Sequence, residues 1–142
     1  MKPQSMSRCR LASLPLILLA GVAGCDSLLD TTEDLADNAY VYVTGASPVP
    51  LQLILSNDYT AIENDEGRFD VTLADADTLY LSPPFQRTHP IGDKGRIFVR
   101  LTQPDSTTEA TVQMRITLDD QEVYNVGATL REASLEYLFV YF

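Results

Sequence analysis

From residue 38 onward, apolar side chains recur at every second position, and no helical spacing lasts for ten residues. Val112, Met114, Ile116 and Leu118 show the pattern most cleanly, alternating with Thr111, Gln113, Arg115 and Thr117. A period of two describes an antiparallel strand with one buried and one wetted face. The same alternation carries Ala39, Val41 and Val43 against Tyr40, Tyr42 and Thr44. It returns in Leu51, Leu53 and Leu55, in Phe69, Val71 and Leu73, in Leu79 and Leu81, and in Ile97, Val99 and Leu101.

Turn-forming residues separate these runs at 45–50, Asn57–Asp58, 63–67, Asp75–Ala76–Asp77, 103–108 and Asp119–Asp120, and residues 127–133 are expected to connect the 122–126 strand to the last one. The spacing predicts seven or eight short strands in about 105 residues, 38–142. The fold class that follows is all-β: an antiparallel β-sandwich of Ig-like or C2-like size. Segment 83–95 holds three prolines and two glycines and is expected to be the longest loop. The terminal strand, from Leu135 to Phe142, is apolar on both faces. That places it centrally in a sheet, because an exposed strand of this kind would aggregate.

The N-terminus is of a different character. Lys2, Arg8 and Arg10 are unopposed by any acid, Leu11 to Gly21 form an apolar run, and the small residues Val22, Ala23 and Gly24 lead to Cys25. Basic, apolar and small is the order of a secretory signal. The run is too short for a membrane-spanning helix, which needs roughly twenty residues, and Pro15 interrupts it.

Val22-Ala23-Gly24-Cys25 resembles the lipobox of bacterial lipoproteins, a likeness confined to residues 1–25. It implies that 1–24 is a signal peptide removed on export. Cys25 then becomes the first mature residue and carries a diacylglycerol on its thiol. Two or three acyl chains hold a protein stably where one holds it marginally. The implied location is the cell envelope, at the inner or outer membrane, facing the periplasm or the cell surface. Residues 25–37 hold five acids and no base and read as a lipidated, solvated tether, leaving 38–142 as the domain. In outline, that domain resembles small β-sandwich lipoproteins.

Three of the ten basic residues precede Cys25 and all twenty acids follow it. The mature chain therefore sets seven bases against twenty acids, a charge of −13. Such a field repels nucleic acid, and no basic stripe with interleaved aromatics occurs. A single Lys, Lys94, beside six Arg and abundant Asp resembles the composition of proteins from salt-loving bacteria. Cys9 lies in the signal and Cys25 is spent on lipid, so no thiol remains for a disulfide, for Cys-ligated zinc or for nucleophilic catalysis.

Candidate chemistry is sparse. Asp75, Asp77, Asp119 and Asp120 fall in expected turns and could gather oxygens for Ca²⁺ if those turns share one end of a sandwich. That would suit a calcium-dependent carbohydrate-binding or adhesion module. Otherwise these are ordinary turn residues and no cofactor is required. His89 is the only histidine and lies in a Pro-rich loop, and no G-x-S-x-G nucleophile motif accompanies it. A small hydrolase would need His89 clustered with acids in a pocket. Tyr40, Tyr42, Tyr80 and Tyr124 oppose apolar partners and could form an outward contact surface for a protein or glycan, or simply the second face of buried strands. The reading these residues favour is a lipid-anchored structural or binding module, not an enzyme.

Overall fold

A computed structural model describes residues 36–140. Cys25, the signal and most of the tether lie outside the described residues, as do Tyr141 and Phe142. Eight strands follow in order: β1 (Asn38–Ala46), β2 (Leu51–Glu63), β3 (Phe69–Leu81), β4 (Phe85–Pro90), β5 (Arg96–Thr102), β6 (Ala110–Leu118), β7 (Gln121–Leu130) and β8 (Ser134–Val140). They form two antiparallel four-stranded sheets, β4-β1-β6-β7 and β3-β2-β5-β8. The chain changes sheet at every connection except the β2–β3 and β6–β7 hairpins. The fold is the expected all-β sandwich.

The alternation explains the packing. Val41, Val43, Met114 and Ile116 from one sheet meet Leu51, Leu53, Leu55, Ile97, Val99 and Leu101 from the other, all fully buried. With no disulfide among the described residues, this interdigitated layer is what holds the sheets together. Truncating one such Leu to Ala costs about 3 kcal/mol through lost burial and the cavity left behind.

Four local expectations change. First, Asn57–Asp58 does not end a strand, and Asp75–Ala76–Asp77 does not turn the chain. β2 and β3 run through both, each 13 residues long, with register shifts where Leu55 faces Asp77 and Asp58 faces Asp75. The polar residues form a β-bulge, an extra residue that bends a strand. Ser56 closes it: its Oγ donates toward the carbonyls of Asp58 and Asp75 and accepts from the Asp58 N–H at 3.1 Å.

Second, segment 83–95 is not simply a loop. It contains β4, which pairs with β1 from Asn38↔Pro90 to Val43↔Phe85, and a short 3₁₀ turn, Gly92–Lys94. The prolines survive because Pro90 ends β4 and β4 borders its sheet, where a missing ladder donor is tolerated. Third, β7 continues through Gly127 to Leu130, paired throughout with β6.

Fourth, β8 is not central. It pairs with β5 and ends the order of its sheet among the described strands. Its second apolar face is accounted for by the bulge. Beyond it, residues 59–63 and 69–73 form an arm that reaches past the β5 pairing and lies against the outer side of β8. The Tyr59 hydroxyl donates to the Phe139 carbonyl at 2.7 Å, and its ring lies 5.9 Å from that of Phe98. Phe98 points away from the main core, yet is 1% exposed. A second, smaller apolar cluster thus sits outside the sheet.

Candidate functional site at the seam between the sheets

The bulge creates a polar concavity. A cavity of about 180 Å³ opens where β4 of one sheet passes β2 and β3 of the other, lined by Ser56, Asn57, Asp58, Asp75, Asp77, His89 and Lys94. His89 reaches it because β4 pairs in register with β1, which sets Ala39 opposite His89. The extra β2 residue swings Asn57 toward the same place.

Asn57 is bonded on both sides. Its Nδ2 donates to the Pro90 carbonyl at 2.6 Å, and its Oδ1 lies 3.1 Å from His89 Nε2. A carbonyl can only accept, so Nδ2 must face Pro90 and Oδ1 must face the ring. His89 Nε2 therefore carries the hydrogen. In the neutral ring, Nδ1 is then an acceptor, and it faces Asp77 Oδ2 at 3.8 Å. Burial holds the His89 pKa below its usual value, partly offset by the Asp77 carboxylate, while Arg87 lowers it further.

Alongside lies a charge cluster. Asp58 accepts from Lys94 Nζ at 2.5 Å and from Arg96 Nη2 at 3.2 Å. Lys94 above all holds the Asp58 carboxyl below its normal pKa. Arg96 also donates from Nε to the Asn57 carbonyl at 3.0 Å and lies 5.3 Å over the Tyr59 ring. Bulge, arm and 3₁₀ turn are thus fastened at one point.

This arrangement does not form a Ser–His–Asp relay. A Ser–His–Asp relay needs the His hydrogen on the nitrogen facing the acid and the other nitrogen free for the nucleophile. Here the tautomer is reversed, Nε2 is occupied by Asn57, and the Ser56 hydroxyl is engaged by backbone. His89 is a clustered, buried residue on β4 and not on a loop as expected, but its bonds are those of a fastener.

The four candidate calcium ligands are not assembled. Asp75 and Asp77 lie within β3, in one sheet, while Asp119 and Asp120 turn β6 into β7 in the other. Among the described residues, no group of three or more His, Cys, Asp or Glu side chains could hold a metal ion. Asp119 serves the backbone instead. Its two carboxylate oxygens accept the N–H groups of Asp37 and Asn38 at 3.2 and 3.1 Å, and its own N–H donates to the Asn38 carbonyl.

The tyrosines do not form one surface either. Tyr40 and Tyr42 sit half-buried on the outer side of the β1 sheet, where the Arg115 guanidinium covers Tyr42 at 4.5 Å. Tyr80 is exposed on the other sheet, and Tyr124 packs edge-on against Tyr137 at the margin of the core. Asn57, Tyr59 and Arg96 escaped the sequence reading. The signal they left was a polar pair, Asn57–Asp58, set inside an otherwise continuous β-pattern.

Comparison of the chain with protein families, with curated proteins and with solved structures finds no match in any of the three.

Proposed function

We propose that the protein is a lipid-anchored β-sandwich of the bacterial cell envelope, serving as a structural or binding module and not as an enzyme. The observation that carries this reading is the order of the first 25 residues: a basic start, a short apolar run, and Val22-Ala23-Gly24-Cys25. An acidic tether then leads into a sandwich whose first strand starts at Asn38. The absence of a usable thiol pair suits a Cys committed to lipid. The His89 tautomer and the engaged Ser56 favour a binding role over hydrolysis.

The test is metabolic labelling with an alkyne-tagged palmitate in a bacterial host, followed by detergent partitioning. The label and the detergent-phase protein are expected for the wild-type chain and lost in Cys25→Ala. A label that persists in Cys25→Ala, or a wild-type protein with a free thiol at Cys25, overturns the proposal.

A further inference from the structure

We propose that the groove between the β2–β3 arm and the end of β8 binds a single-chain anionic amphiphile, a free long-chain carboxylate, with its head group at Arg96 and its tail along the arm. The groove has a volume of about 550 Å³, within the size range of small-molecule sites. Tyr59, Ala61 and Phe69 line it from the arm, and Leu138 and Val140 from β8. Phe69 keeps 53% of its surface exposed on one wall, an apolar area that a ligand tail would cover. Among the described residues lining the groove, Arg96 alone is charged. An apolar trough with one cation calls for a ligand with one anionic group on an apolar body.

Arg96 is placed to serve. Its Nε and Nη2 are held by the Asn57 carbonyl and Asp58, which fixes the guanidinium plane. Nη1 makes no hydrogen bond among the described residues, and a guanidinium offers five N–H donors. Asp58 does not cancel the charge, because Lys94 shares the same carboxylate at 2.5 Å. Two cations share that acid, so Arg96 is only partly neutralised by it, and the further carboxylates of Asp75 and Asp77 lie on the Lys94 side, in the neighbouring cavity. This inference does not depend on the lipid anchor, since the described residues that line the groove all belong to the sandwich.

The experiment uses the full chain carrying Cys25→Ala, so that no attached acyl group competes. It is titrated with palmitate labelled with ¹³C at the carboxyl, below the concentration at which palmitate aggregates, and followed by NMR. Saturable one-to-one binding with a shifted carboxyl resonance is expected. Arg96→Gln should weaken palmitate by about tenfold more than hexadecanol, the loss of one charge-assisted hydrogen bond, because any loosening of the arm falls on both ligands alike. Ala61→Trp should fill the groove and abolish binding of both. Phe69→Glu, at an already exposed position, should set a charge against the tail and weaken palmitate and hexadecanol alike without disturbing the fold. No saturable binding, wild-type binding by Ala61→Trp and Phe69→Glu, or equal losses of palmitate and hexadecanol in Arg96→Gln would each overturn the proposal. Uptake only in the presence of vesicles, through the arm tip, would overturn it too.

Discussion

Asn57, on the bulge of β2, donates its amide to the Pro90 carbonyl at the end of β4 and joins two strands that belong to different sheets. The same side chain holds His89 by its Nε2. One polar residue therefore fastens a sandwich edge that no backbone ladder crosses.

Asn57→Ala removes both bonds and leaves the buried His89 N–H without its acceptor. A loss of about 1–3 kcal/mol is expected, the cost of orphaning a buried polar group. The denaturation midpoint in urea should fall with little change in slope. Asn57→Asp should not rescue it, because a carboxylate oxygen would then face the Pro90 carbonyl. A midpoint equal to wild type in both variants would show that the fastening contributes nothing.

Acid should loosen the same edge. The His89 pKa lies below its unfolded value of about 6.5, mainly through burial. Between the two values the unfolded chain binds more protons than the folded one, so stability rises with pH across that window. The contribution is fully present above about pH 6.5 and is lost as pH falls through the folded pKa. Asp77→Asn removes the carboxylate that partly supports the charged ring. It should lower the His89 pKa further, seen by NMR titration of the ring, and steepen the acid loss. A His89 pKa above that of a model peptide would contradict this account.

Gly45 meets β6 closely. Its φ is 111°, and a Cβ there would stand 2.2 Å from the Thr111 carbonyl oxygen, an atom of the backbone that cannot move aside. Gly45→Ala should destabilise by about 2 kcal/mol or more through strain and displacement of the β1–β6 ladder. Thermal unfolding would read it, with Gly67→Ala, which has open space but also a positive φ of 73°, as the milder comparison.

Asp119 ties the β6–β7 turn to the start of β1, accepting two backbone N–H groups from a backbone at φ 47°. Asp119→Ala should cost about 1–2 kcal/mol. Because the bonds are local, amide exchange at Asp37 and Asn38 should accelerate more than exchange in the core strands. Added calcium should not reproduce the effect or reverse it.

Much of the sandwich was legible from Val112 to Leu118 and its counterparts, because burial on one face imposes a period of two on the sequence itself. The edges were not. Asn57–Asp58 and Asp75–Ala76–Asp77 carry turn composition, and composition alone does not separate a reversal from a bulge; the pairing partner decides. The segment with Pro83, Pro84 and Pro90 hid a border strand for the same reason, since β4 is defined by β1 and not by its own propensity. Leu138 and Val140 pointed to burial on a second face; they are half-buried on the wall of a groove, and a folded-back arm stands where a neighbouring strand was expected. His89 gained its surroundings from Asn57, 32 positions away in sequence, and from Asp77 on another strand, relations no local pattern encodes.

The strand directions give the body two unlike poles. Ala36, Pro90, Asp119 and Val140 emerge at one, and the connections at 47–50, 82–84, 103–109 and 131–133 at the other. The described chain therefore enters the sandwich at the first pole, at Ala36. Under the proposed anchor at Cys25, a protease site inserted at 104–108 should be cut sooner than one inserted at 64–67, because it stands at the pole farther from the point where the chain enters.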